Sequence, residues 1–129
     1  MAQPIPVSTS PPGGLEPSEV PQFIVITFDD ALHEISAGLV DPITSHTNPD
    51  GSPVAFTFFV STDYSDYWEI HRMHAAGHEI AAHTMTHTTG TGTDLETWVR
   101  EIDGCRESIA RLANIPREDI RGFRAPFLA

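Results

Sequence analysis

The chain has 129 residues, 40% of them hydrophobic and 19% charged, which suffices for one domain with its own core and no more. Seven Lys+Arg against 18 Asp+Glu leave a formal charge of −11. This argues against a nucleic-acid partner, whose phosphates need a basic surface, and against an anionic membrane surface. All cations are arginine, so a Schiff-base or phosphate-loop lysine is excluded, and the lone Cys105 excludes an internal disulfide.

In chain order, residues 1–21 hold six of the eleven prolines and read as a disordered or extended tail. Met1 to Gly14 shows no apolar signal-peptide region, and no run reaches the ~18 apolar residues that span a bilayer, so no membrane insertion is expected. The globular part is expected over 22–129. Phe23 to Phe28 is a continuous β-branched and aromatic run and predicts a first strand covered on both faces. A short helix is expected over 31–40. Val54 to Val60 predicts a second strand, and residues 64–76 a helix stopped by Gly77. His78 to Ala82 predicts a shorter third strand. The best helix runs from about Asp94 to Ala113, with Thr93 and Glu96 in capping-box spacing. Leu95, Trp98, Val99, Ile102, Cys105, Ile109 and Leu112 form its apolar stripe, which makes Cys105 a core residue. Ile120 to Phe123 is the weakest strand signal. The alternation predicts an α/β fold of about four parallel strands with intervening helices.

In such folds, sites lie at the C-terminal ends of the strands. Asp29-Asp30 follows the first strand, His83-Thr84-Met85-Thr86-His87 the third, and Arg124-Ala125-Pro126-Phe127 the fourth. Each is weak alone. Adjacent Asp residues favour helix caps, a Thr-rich loop can hold histidines incidentally, and an Arg before a proline turn is ordinary. Their shared placement points to a metal site. Two imidazoles and one carboxylate form a zinc set with an open position, and the same set suits Fe(II) in oxygenases, many of which use all-β barrels instead. His78 lies at an odd offset from His83 and reads as a structural residue. His71 and His74 read as surface residues near a helix end, and His33 is left open.

These residues resemble a known family. Thr27-Phe28-Asp29-Asp30, His83-Thr84-Met85-Thr86-His87 and Arg124-Ala125-Pro126-Phe127 look like the first three motifs of NodB-type polysaccharide deacetylases, carbohydrate esterase family 4. Thr57-Phe58-Phe59-Val60 looks like that family's second strand. Ser61 to Tyr67 is similar to chitin deacetylase-like members. The resemblance covers about 22–129 and implies the N-terminal half of a distorted (β/α) barrel, whose closure takes roughly 200 residues. It implies Asp29 as general base, oriented by Arg124, and Asp30, His83 and His87 as ligands of a divalent metal, most often Zn2+. Pro126 and Phe127 would line the sugar groove. The implied substrate is chitin or another N-acetylglucosamine polysaccharide, and the implied location extracellular or at the cell wall. Two later family motifs, one carrying the Leu-x-His general acid, have no match here. A truncated or inactive homologue that binds carbohydrate or a partner without turnover is therefore the alternative expectation.

Overall fold

The structure is a computed structural model and describes residues 9–129. Residues 1–8 of the expected tail lie outside the described residues. From Thr9 to Gln22 the chain forms only two single 3-10 turns, Pro12–Gly14 and Pro17–Glu19.

Three strands follow, alternating with three helices: β1 (Thr27–Asp30), α1 (Glu34–Thr44), β2 (Thr57–Val60), α2 (Tyr67–Ala75), β3 (Glu79–Ala82) and α3 (Leu95–Leu112). The sheet is parallel in the order β1-β2-β3. The fold is thus α/β with a partial, open sheet. The expected fourth strand is a correction: Ile120 to Phe123 contributes one parallel bridge, Phe123 to Ala82. It is fastened by Ala82 N–H to Gly122 O at 2.9 Å and Arg124 N–H to Ala82 O at 3.1 Å.

The first strand also starts later than expected. Phe23, Ile24 and Val25 are about four-fifths exposed and unpaired. A strand is as long as its ladder, and pairing on β2 begins only at Thr57. The same reason removes Val54 to Phe56 from β2, although Phe56 is buried.

The helix ends follow local chemistry. Asp66 caps α2 by accepting from Trp68 N at 2.8 Å. Past its end, Gly77 takes φ 94; Gly77 N–H bonds His74 O and His78 N–H bonds Met73 O, the paired closure that a left-handed glycine permits. That turn aims the chain into β3. α3 is capped by Asp94, which accepts from Thr97 N at 2.9 Å. Thr93 is not the cap; its hydroxyl donates to Thr89 O.

The core lies between the sheet and the helices and includes Phe58, Val60, Ile70, Met73, Ile80 and Ile109. Cys105 is fully buried there, its thiol 3.3 Å from Val60 O and pushed up to about 11 by burial. The α3 stripe is only partly a core face: Leu95, Val99 and Leu112 stay exposed. No helix among the described residues is long and apolar enough to cross a membrane.

Candidate metal centre

Strand register builds the site. Asp30 aligns with Val60, Val60 with Ala82, and Ala82 bridges Phe123. The residues that follow, or end, these four segments therefore lie along one edge. This is where Asp29, Asp30, His83 and Arg124 fall.

Asp29 and Asp30 are neighbours on a strand, so their side chains diverge. Asp30 also adopts φ 80, a left-handed conformation unusual outside glycine. Asp29 turns to Arg124, whose Nη1 donates to Asp29 Oδ1 at 2.5 Å and to Thr27 Oγ1 at 3.0 Å. The guanidinium lies 4.0 Å from the centre of the Phe59 ring. Three contacts thus immobilise Arg124, and through it one oxygen of Asp29.

Asp30 faces the histidines. Its Oδ1 is 2.9 Å from His87 Nε2 and 3.4 Å from His83 Nε2. The three donor atoms lie within 4.8 Å of one another. Two donors each about 2.1 Å from one tetrahedral ion would stand roughly 3.4 Å apart, so the spacing suits a single ion. The hydrogen bonding suits it as well. His83 Nδ1 is 2.8 Å from Arg124 O, an acceptor only, so Nδ1 carries the proton. In the neutral ring the lone pair of Nε2 then faces a carboxylate oxygen, and a shared cation would satisfy both. The fit rests on this pairing of two electron-rich atoms.

His83 is buried, His87 one-third exposed and Asp30 two-thirds exposed, so the cluster opens to solvent on the Asp30 side. The opening is a cavity of about 230 Å³ lined by Asp30, Ala31, Ser61, Asp63, Tyr64, Thr86 and His87. The Phe127 ring meets His87 edge-on at 4.8 Å and is 69% exposed. Pro126 is fully buried, so it supports the turn and presents no face to a groove.

Four of the five remaining histidines sort out by packing. His78 is buried and accepts from Phe56 N at 3.2 Å, a structural role as expected. His71 and His74 are half-buried rather than free on the surface: His71 Nδ1 bonds Ala113 O at 2.8 Å and His74 Nε2 lies 3.4 Å from Asp119. His33 does not join the cluster; it caps α1 through Ser36.

Sequence reasoning missed two contributors. Tyr64, 92% exposed with φ 65, lies on the loop after β2, where the strand-end rule itself points. Glu101 on α3 accepts from the backbone of the histidine loop, and no local signal marks it.

Residues 17–129 match the family model described as polysaccharide deacetylase. Chitin deacetylase 1 of Bombyx mori is 37% identical over 91% of this chain and 23% of its own length. Chitin deacetylase 8 of Bombyx mori is 33% identical over 94% of this chain and 33% of its own length. A family 4 carbohydrate esterase from Streptomyces lividans, solved in complex with acetate, superposes with a TM-score of 0.65 at 21% identity, over 83% of this chain and 52% of that one. The chain thus spans about a quarter to a third of these curated relatives and about half of the solved structure. The match over nearly the whole chain, with motifs brought to one sheet edge, places this chain in the polysaccharide deacetylase family.

Proposed function

We propose that this chain carries the metal-binding and general-base half of an N-deacetylase acting on N-acetylglucosamine polymers such as chitin. The observation that carries this reading is the Asp30–His83–His87 cluster beside the Asp29–Arg124 pair on one strand-end edge. The names of the two silkworm relatives support the substrate class.

A divalent ion held by Asp30, His83 and His87, with Zn2+ the best fit to two nitrogens and one oxygen, supplies Lewis acidity toward oxygen. The chain's own residues do the rest. Arg124 engages Oδ1 of Asp29 and fixes its plane, leaving Oδ2 as the base. Asp29 takes a proton from the attacking water as its oxygen adds to the acetamide carbonyl carbon. The proton held by Asp29 passes to the amide nitrogen, and the C–N bond then breaks, releasing acetate and the free amine. Phe127 offers an exposed aromatic face beside His87 on which a sugar ring can stack. A structural polysaccharide as substrate supports a protein that works outside the cell or at the wall.

The test is acetate release from chitin oligosaccharides by the full-length protein loaded with zinc. Asp29→Asn should lower the rate by about 10²–10⁴-fold while zinc stays bound. Zinc-loaded protein that binds the oligosaccharide without releasing acetate refutes the deacetylase reading. An Asp29→Asn variant of undiminished rate refutes the role of Asp29.

A further inference from the structure

We propose that Glu101 is a positioning residue for the metal centre: from α3 its carboxylate holds the His83–His87 loop in the conformation that turns His87 toward Asp30. This rests on the reading that Asp30, His83 and His87 hold a divalent ion.

The loop is strained. Thr84 adopts φ 71 and His87 φ 53, and a β-branched residue in the left-handed region is a clear outlier. Thr84 is also fully buried, and its hydroxyl has no partner among the described residues. Such a conformation persists only where its surroundings hold it.

Two neighbours do the holding, and they divide the backbone between them. The loop after β2 engages the carbonyls. Thr62 N–H donates to Thr84 O at 3.4 Å, and Asp63 N–H and Thr62 Oγ1 donate to Met85 O at 3.0 and 2.9 Å. Glu101 engages the donors. Met85 N–H and Thr86 N–H both point at Glu101 Oε2, each at 2.9 Å, and Thr86 Oγ1 donates to Oε1 at 3.0 Å. Consecutive amides converging on one anionic oxygen form a nest, and charge-assisted bonds are the stronger kind.

The rest of α3 is shaped to the same loop. Gly104 lies one turn after Glu101 on the same face. A Cβ at Gly104 would sit 2.6 Å from Met85 Sδ, so Met85 packs over the glycine in a position that a side chain there would displace. A mid-helix glycine is otherwise unfavourable.

The two histidines differ in their dependence on this support. His83 is secured by Arg124 O. Among the described residues, the ion-pair and ring contacts of His87 are with Asp30, His83 and Phe127. Glu101, bonded to the residue just before His87, therefore sets where that ligand stands.

The experiment compares Glu101→Ala, Glu101→Gln and Glu101→Asp in the full-length protein. Two readouts are used: Co2+ affinity with its visible absorption, and amide hydrogen exchange of Met85 and Thr86 without metal. Glu101→Ala should lower Co2+ affinity about 10–100-fold, change the absorption intensity and speed both exchanges. Glu101→Gln should retain most of the affinity, because its carbonyl oxygen still accepts both amides. Glu101→Asp, charged but shorter, should behave like the alanine variant. Parental affinity and exchange in Glu101→Ala overturn the proposal. If that variant does not fold, Gln against Asp decides: Asp binding Co2+ as well as or better than Gln overturns it. If the parent binds no Co2+, the metal reading fails, and exchange alone judges Glu101, with unchanged protection in Glu101→Gln and loss in Glu101→Asp upholding it and any other pattern overturning it.

Discussion

Two histidines flank β3, five residues apart, and both are buried, at 4% and 2% exposure. At the N-terminal end, His78 Nδ1 accepts from Phe56 N–H, so its proton lies on Nε2. Its ring stacks on Phe56 at 5.5 Å. At the C-terminal end, His83 Nδ1 donates to the carbonyl of Arg124, so in the neutral ring the proton lies on Nδ1 and Nε2 carries the lone pair. One residue type, equally buried, takes opposite tautomers because the backbone groups at the two ends of a parallel strand differ. The first imidazole completes a core; the second turns its Nε2 toward Asp30.

The largest expected effect breaks this contrast directly. His83→Ala should weaken Co2+ binding by more than the about 100-fold seen for outer partners, whereas His78→Gln should leave it unchanged. Equal losses in titrations of the two variants would erase the distinction between ligand and core residue.

Arg124 gives a finer test, since its side chain serves Asp29 and its carbonyl serves His83. Arg124→Met keeps the carbonyl. The expected result is a rate about 10–100-fold lower with metal affinity and the His83 tautomer intact. Imidazole nitrogen shifts by NMR read the tautomer, and a switched His83 proton in this variant counts against the backbone anchor.

The smallest effect concerns stability. Burial, aided by the positive charge of Arg72 and opposed by Asp41, pulls the His78 pKa below its ordinary value. The folded state thus binds fewer protons here than the unfolded state. The neutral imidazole's contribution is complete above about pH 6.5 and fades as pH falls below it. Melting temperature should therefore drop more between pH 7 and pH 5 in the parent than in His78→Gln. A parallel pair of curves would remove His78 as the cause.

Much of this organisation is local in origin and so was legible in the residues themselves. Gly77 stops α2 because a left-handed residue is needed there, and the 3.6-residue recurrence marks α3. The strand-end rule places Asp29, Asp30, His83 and Arg124 together because parallel strands in register share an edge. It says nothing of tautomer, which depends on the Arg124 carbonyl 41 residues away.

Tertiary structure alone decided the rest, each time because the deciding partner is distant or the local choices are degenerate. Thr93 and Asp94 are both good caps, and only the backbone path selects Asp94. Phe23 to Val25 has the composition of a strand but no ladder to join among the described residues, and β propensity without a partner leaves apolar side chains exposed. Pro126 and Phe127 are adjacent, yet the turn buries one and exposes the other. Glu101 carries no motif; a glutamate on a helix reads as solvated until folding brings two strained-loop amides 2.9 Å from one of its oxygens. By itself the sequence determined which residue types reach the strand ends. The packing of α3 against the histidine loop, and the carbonyl behind His83, determined which atoms they present.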